Sequence, residues 1–546
     1  MRAAKIEQIL YEYVGRESIS DSEKEKEAEN YFIDFFSRQE YFQRNKEHYG
    51  RFPIFDDPHE RAVAWAMVKG KGSSAVVLIH HNDVVTVEDF KSLKEYAFCP
   101  QKLEKELFKM KENLSKEARE DLESGNYLFG RGVCDMKGGG AVQMALLSEY
   151  AEREDFSGNV ILLALPDEEN LSAGMRAAVI LLNELKEIHK FDYKLMINSE
   201  PHQRKDRKKG IFSFGSIGKL MPYVYVRGFL AHAGKVFEGL NPANIMAEIV
   251  RNTEVNMEFS DVVKGEASPP PTWLYLRENK ENYDVSMPLS VQGCLSVLTL
   301  NQTPKSILSK LKDICFASFE KVLEEMNRNY RLFLKATKQE EKDLMWKPKV
   351  VEFGELYREA QIRYGEKFVE EYDRFLEDLY RKIHSNEESL ITANFHLVEF
   401  VYDFIDDLSP RVVIGLVPPY YPNVSNFFRE NQERKIVDLY DVLSDFVQRK
   451  YEQRYTQEYF YTGISDLSYS DVHNIDESIE SLKNAMPFWG KIYNLPIYDI
   501  QRISMPCVNI GPWGKDFHKL TERVYKEDVF ERTPAIVDYA VKFILE

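Results

Sequence analysis

Four short segments bring together residue types that could do chemistry. VVLIHHNDVV closes an apolar run with His80, His81 and Asp83. NYLFGRGVCDMKGGGAVQMA sets Asp135 in a glycine-rich turn that opens a helix. VILLALPDEENLSAG ends a second apolar run with Asp167, Glu168 and Glu169, and YKLMINSEPHQ ends a third with Glu200 before Pro201. Neighbouring carboxylates raise one another's pKa unless a cation relieves them. Carboxylate oxygens beside imidazole suit zinc or a similar divalent ion. A phosphate cradle is the competing reading of the glycine-rich turn, but GxxxxGK[ST] is absent and Asp135 would repel a phosphate. One His-x-Asp after a strand is as readily structural as functional. The repetition of acidic groups at the ends of successive strands is what points to a site, because open α/β sheets build sites there.

Those segments need a scaffold of strands and helices. Ala62–Val68, Ser74–Ile79, Asn159–Leu165 and Tyr193–Asn198 read as strands, with helices over Glu27–Ser37, Gly139–Glu152 and Ala173–Ile188. Buried apolar runs alternating with amphipathic helices predict an α/β domain with a central mixed, mainly parallel sheet flanked by helices. The Lys/Glu-rich stretch from Leu93 to Ser124 reads as a solvated helical insertion. From Gly210 the texture becomes α+β: strand over Ser213–Arg227, helix over Pro242–Asn256, strand over Leu289–Leu300, then a helix from Lys305. A charged helical tract follows over Val322–Arg381, and then a strand over Arg411–Val417 that Pro418-Pro419 should end. The predicted division is 1–209 with 427–546 as one domain, interrupted by 210–426 carrying a helical insertion at about 322–395.

Composition bounds the function. At roughly 100–200 residues per domain, 546 residues allow two to four domains. With 44% hydrophobic and 29% charged residues the chain is globular in type. A net charge of −17 argues against a nucleic-acid partner, since phosphate neutralisation needs a basic surface. The apolar runs fall far short of the ~20 residues of a membrane span. The opening MRAAKIEQILYEYVGRES lacks the apolar core of a signal peptide. Five scattered cysteines without a CxxC fit a reducing compartment, so a cytoplasmic location is expected.

The motifs as an ordered set resemble a known family. His81-x-Asp83, Gly130-Arg131-Gly132-x-x-Asp135-Met136-Lys137-Gly138-Gly139, Asp167-Glu168-Glu169 and Glu200-Pro201 are similar to the motifs of the aminoacylase/carboxypeptidase group of di-metal peptidases, family M20. So are Val226-Arg227-Gly228-x-x-Ala231-His232-Ala233-Gly234, Gly463-Ile464-Ser465-Asp466 and Gly511-Pro512…His518-x-x-x-Glu522-x-Val524. Within that family, GISDLSYSD, MPFWGKIYNLP and NIGPWGKDFHKLTERVY resemble the arginine-utilisation branch. The resemblance implies a zinc-exopeptidase-like catalytic domain and an enlarged lid. It implies two divalent ions, zinc by default with cobalt or manganese as alternatives. Asp135 would bridge them, with His81 and Glu200 on one and Glu169 and His518 on the other. Glu168 would be the general base, Asp83 would accept from the free ring nitrogen of His81, and His232 on the lid, of this chain or of a partner subunit, would donate to the oxyanion. The Asp135–Met136 peptide would be cis. The implied partner is a small amino-acid derivative or short peptide, with neither nucleic acid nor membrane involved; a homodimer is left open, since the enlarged lid could block the dimer edge.

Other residues receive the opposite reading. His80 neighbours His81 on a strand and so faces away, and His202, His396 and His473 carry no motif. Cys134 would need a base partner and a lowered pKa to act as a nucleophile. Arg227 and Arg411 are candidates to bind a substrate carboxylate, though neither lies in a diagnostic motif. Two rival functions stay open: a non-catalytic metabolite-binding relative, and hydrolysis of a non-peptide amide or ester.

Overall fold

The computed structural model describes residues 2–153, 156–204, 206, 208–280, 282 and 284–546. The chain divides into two compact units: Met1–Ile217 with Pro422–Val472 and Pro496–Glu546, and Gly218–Tyr421 with His473–Leu495.

In the first unit, eight strands form one mixed sheet. Its order is Tyr49–Pro53, Ala62–Lys69, Asn159–Leu165, Ser74–His81, Asp192–Asn198, Cys507–Asn509, Lys209–Ser213, Arg454–Glu458. The middle of the sheet is parallel: Ser74–His81 lies between Asn159–Leu165 and Asp192–Asn198, running the same way as both. Ser74–His81 and Asn159–Leu165 are near-continuous apolar runs, and Asp192–Asn198 becomes one in its second half, because both faces are covered there. Val76, Leu78, Val160, Leu162, Leu195 and Ile197 share a core with helices Arg2–Val14, Lys137–Ala151, Arg434–Tyr451 and Thr533–Leu545. Helix Ala173–His189 packs against the strands Ala62–Lys69 and Asn159–Leu165. Three parallel neighbours therefore deliver His81, Asp167 to Glu169 and Glu200 to the C-terminal ends of adjacent central strands.

A small sheet of Gly514–Lys515, Arg523–Tyr525 and Tyr127–Phe129 carries the loop with His518. The Lys/Glu-rich stretch is not merely solvated. Its helices Pro100–Lys109 and Lys116–Ser124 turn Leu103, Leu107 and Leu122 into an apolar cluster with Phe129 and Trp513.

The second unit is built on a five-stranded sheet ordered Thr272–Glu278, Ser290–Thr299, Gly218–Arg227, Arg411–Tyr421, Val350–Glu352, antiparallel except for the last pair. Three expectations change here. The strand from Arg411 runs on to Tyr421 through Pro418-Pro419, because the pairing jumps from Val417 to Tyr421 and asks no N–H of the prolines. The charged tract is not one helical insertion: Pro304–Ala336 stops, Val350–Glu352 joins the sheet, and helices Phe353–Tyr364, Glu366–His384 and Leu390–Tyr402 follow. Residues 473–495 group with this unit rather than with the first. Helix Ile475–Ala485 buries Ile479 and Leu482, and the Tyr493 hydroxyl bonds the backbone of Tyr420.

Candidate active site

His81 ends its strand almost fully buried, with its side chain 1% exposed. Its Nδ1–H donates to the Asp83 backbone carbonyl at 3.0 Å, with Asp83 Oδ1 at 3.4 Å. That leaves Nε2 facing Asp135 Oδ1 at 3.1 Å and Glu200 Oε1 at 3.6 Å. The other oxygen of Asp135 lies 3.2 Å from His518 Nε2, which is 3.0 Å from Glu169 Oε1. One carboxylate thus stands between two imidazoles, each with a second carboxylate beside it. Glu168 groups with His81 and Glu200, and Glu169 with His81 and Asp135, each set having ligand atoms within 4.8 Å of one another.

The bond expected between the His81 ring and the Asp83 carboxylate is made instead by the Asp83 backbone carbonyl, and the carboxylate has other partners. Besides facing the His81 ring, its carboxylate accepts Ser20 Oγ at 2.5 Å and the backbone N–H groups of Glu168 and Glu169 at 3.1 and 3.2 Å. It therefore ties the histidine strand to the acidic loop. Behind that loop lies a group that no motif signals. Arg61, 4% exposed, donates to Glu25 at 2.7 Å, Asp167 at 2.8 Å and Asp57 at 2.6 Å. Glu25 in turn accepts the N–H of Asp167 at 2.8 Å. Glu522 does for Asp135 what Asp83 does for Glu168. Fully buried, it accepts from Arg131 at 2.7 Å and from the N–H groups of Gly132, Cys134 and Asp135 at 2.8, 3.3 and 3.3 Å. Its place four residues after His518 is its only sequence signal. The Asp135–Met136 bond is cis. Two glycines of the C-terminal segment are required by close approach: a Cβ on Gly511 would lie 1.9 Å from the Glu200 carbonyl, and one on Gly514 1.7 Å from Cys134 Sγ.

The electrostatics ask for cations. Among the described residues, the ion-pair partners of Asp135, Glu169 and Glu200 are the two histidines alone. Burial pushes the carboxyls of Glu168 and Glu200 well above the usual range, and like-charged neighbours add to it. Burial also raises Asp466, to about 7. Burial opposes a charged His81, yet Glu200, Asp135 and Asp83 raise it well above 6.5. Hydrogen bonds to Asp135 and Glu169 raise His518 to about 10. A buried acidic cluster with imidazole as its only counter-charge fits divalent metal ions, which would relieve the carboxylates and leave both rings neutral.

The remaining sequence-predicted residues are placed as follows. His80 faces away and is satisfied by Tyr13 Oη at 3.1 Å and Gln143 Oε1 at 3.0 Å. His202 Nδ1 donates to the Gly511 carbonyl at 2.9 Å, and His396 lies 2.5 Å from Glu388. Cys134 is buried, and burial raises its thiol well above the ordinary range, so it is no nucleophile. Arg411 is committed to Glu359 at 2.9 Å and Asp407 at 3.0 Å, so it is not available to a substrate. Arg227 stacks on Tyr402. His232 belongs to the second unit, exposed on the loop 229–240. There its Nδ1 accepts the Gly234 N–H at 3.0 Å, so the neutral ring carries its proton on Nε2.

An open mixed sheet with an acidic and imidazole cluster at the ends of its parallel strands, and a second unit inserted in the chain, is a fold shared with solved structures of a metallo-carboxypeptidase and a tripeptidase. The chain belongs to peptidase family M20/M25/M40, whose model matches residues 110–540; His81 and Asp83 lie ahead of that stretch. It is 29% identical to Protein RocB of Bacillus subtilis (strain 168), covering 100% of this chain and 95% of that one. It is 30% identical to the uncharacterized protein YqjN of the same strain, covering 98% and 96%. In fold it is similar to an M20 family metallo-carboxypeptidase from Sulfolobus solfataricus, with a TM-score of 0.53, 10% identity, and 99% and 100% of the two chains covered. A tripeptidase from Staphylococcus aureus gives 0.52 and 10%, over 100% and 98%. Among the described residues no helix is long and apolar enough to cross a membrane.

Proposed function

We propose that the protein hydrolyses an amide or peptide bond of a small amino-acid derivative, using two divalent ions held by His81, Asp135, Glu169, Glu200 and His518. The observation that carries this reading is the Asp135 carboxylate, whose two oxygens face two different imidazoles at 3.1 and 3.2 Å. When bound, the ions would polarise the scissile carbonyl and make water a better nucleophile. Zinc is the default, with cobalt and manganese suited to the same ligands.

The chain's own groups do the proton work. Glu168 takes the proton of the attacking water and hands it to the leaving amine. Burial favours its protonated form, which helps it hold the proton between the water and the leaving amine. Asp83 holds the Glu168 and Glu169 amides and, with its own carbonyl, keeps His81 Nε2 bare. His232 has the opposite tautomer, and its Nε2–H donates to the oxyanion. The segments similar to the arginine-utilisation branch, with the full-length likeness to Protein RocB, favour an amino-acid derivative of arginine metabolism, and the five scattered cysteines without a CxxC favour the cytoplasm.

Metal analysis combined with a panel of N-acyl amino acids, short peptides and the matching esters tests this. Glu168→Gln should keep its metal and lose ~10²-fold or more in kcat, the size of a general-base contribution. A fully active variant removes the mechanism. A wild-type chain that binds metal but hydrolyses none of the panel favours the non-catalytic reading.

A further inference from the structure

The helix Pro304–Ala336 outruns its own core. Its buried residues end at Val322 and Leu323, apart from Leu334 near its last turn. The ten residues from 324 to 333 extend it by about 15 Å at 1.5 Å per residue. Phe316, Leu332 and Phe333 stand 46%, 60% and 48% exposed along it. The chain then folds straight back along this overhang: the Gln339 N–H donates to the Leu334 carbonyl at 2.8 Å, Arg331 grips Asp343 with bonds of 2.6 and 2.9 Å, and Asn327 Oδ1 accepts the Leu344 N–H at 2.7 Å.

What this bracket touches is the loop that carries His232. The loop is closed at its base by two backbone bonds between Phe229 and Leu240, both 2.9 Å. Along one side it is bonded to the segment 285–287, through Ala233 N–H to the Val285 carbonyl at 2.7 Å and Met287 N–H to the Ala231 carbonyl at 3.0 Å. On its other limb, Phe237 packs on Tyr330 and Phe333 of the overhang with ring centroids 4.8 and 5.4 Å apart. At the base, Phe229 packs on Trp346 of the returning segment at 4.7 Å. Both limbs of a twelve-residue loop are thus met by aromatic rings from one projecting element, and aromatic pairs of this kind contribute beyond the area they bury.

We propose that Tyr330, Phe333 and Trp346 are positioning residues that clamp the 229–240 loop and thereby hold the His232 Nε2–H in its working place. The inference rests on the reading of His232 as an oxyanion donor. It gives the overhang of the long helix a purpose that core packing does not. Holding a donor to within a fraction of an ångström is worth such a structure, because a misplacement of about 1 Å can cost ~10²-fold in rate.

The test uses the full-length, metal-loaded protein with Tyr330→Ala/Phe333→Ala, Trp346→Ala and Trp346→Phe, each made with His232 intact and in a His232→Ala background. Amide hydrogen exchange over 229–240 should quicken in the alanine variants while the sheet strand Gly218–Arg227 stays protected. With His232 present, kcat should fall ~10-fold with KM and metal content little changed, and Trp346→Phe should restore most of it. In the His232→Ala background the same clamp variants should cost nothing further. Unchanged exchange over 229–240 overturns the clamp, as does an equal loss of kcat in both backgrounds. A His232→Ala protein as active as wild type overturns the donor reading instead, and faster loop exchange in that case would still establish the clamp as a structural one.

Discussion

His81 and His518 face the two oxygens of one carboxylate at nearly the same distance, yet they are held in opposite ways. His81 ends a central strand, 1% exposed, with its far nitrogen bonded to Asp83 and its neighbours packed on both sides. His518 is 49% exposed, on a loop of a three-stranded sheet, with a backbone φ of 62°. One half of the cluster is part of the core; the other is hung over it from a hairpin. A ligand whose orientation is set by buried partners binds an ion with little further ordering, whereas a hung ligand loses freedom when it does so. The two halves should therefore differ in affinity, with the His81 side the tighter.

Removing each ligand gives the largest contrast. His81→Ala should empty both positions and abolish activity, because Asp135 loses the partner that aims it. His518→Ala should keep about one ion per chain while losing ~10²-fold or more in rate, more than the loss of an outer partner alone would cost. Metal counting on the purified variants reads this directly, and equal metal loss in the two would refute the asymmetry.

A smaller effect is expected from pH. Without metal, the hydrogen bonds to Asp135 and Glu169 raise His518 from 6.5 to about 10. A raised pKa in the folded state contributes stability that is complete below the unfolded value and is lost as pH climbs through the folded one. His81 shifts the same way, the raised carboxyls of Glu168, Glu200 and Asp466 add a loss that begins at lower pH, and the lowering of Asp135 acts only at more acid pH. Thermal melts of chelated protein should show Tm declining as pH rises, with the share owed to His518 lost between about pH 6.5 and 10. Metal-loaded protein, whose rings are already neutral, should decline less, and His518→Ala should flatten the curve of the chelated protein.

The same asymmetry governs how much of the fold and the site is legible in the sequence. The strands that lead to His81, Glu168 and Glu200 are buried on both faces where they approach the site, so they are written there as apolar runs, and the acidic groups stand out at their ends. Asp83 and Glu522 are visible as residues but not as hubs, because a carboxylate that gathers backbone N–H groups leaves no mark on the types of residue it gathers. Arg61 with Glu25, Asp57 and Asp167 has no period at all. In the second unit, Pro418-Pro419 reads as a stop because a register jump against the partner strand is not a property of the local sequence. The stretch from Leu93 to Ser124 reads as solvated because its apolar residues, Leu103, Leu107 and Leu122, are outnumbered by the charges around them.

That stretch supplies the finest test of the comparison. Asp121, 1% exposed on helix Lys116–Ser124, accepts Lys515 Nζ at 2.7 Å and Arg523 Nε at 2.8 Å, one from each strand of the hairpin that bears His518. Arg523 also holds Asp516, whose carboxylate accepts the Thr521 hydroxyl at 2.8 Å, so the loop between the two strands is braced from Asp121 outward. Asp121→Asn keeps the shape and removes the charge, leaving a buried Arg523 with one acidic partner fewer. Among the described residues, the bonds of Lys515, Arg523 and Asp516 in this brace go to Asp121, to Thr521 and to one another, not to His81 or Glu200. Chelator competition should therefore show a loss of at most ~10-fold in affinity for the weaker ion, at the low end of what an outer partner contributes, and none for the tighter one. An equal weakening of both ions would mean that the hairpin and the strand ends respond as one body, and the contrast between a core half and a hung half would be gone.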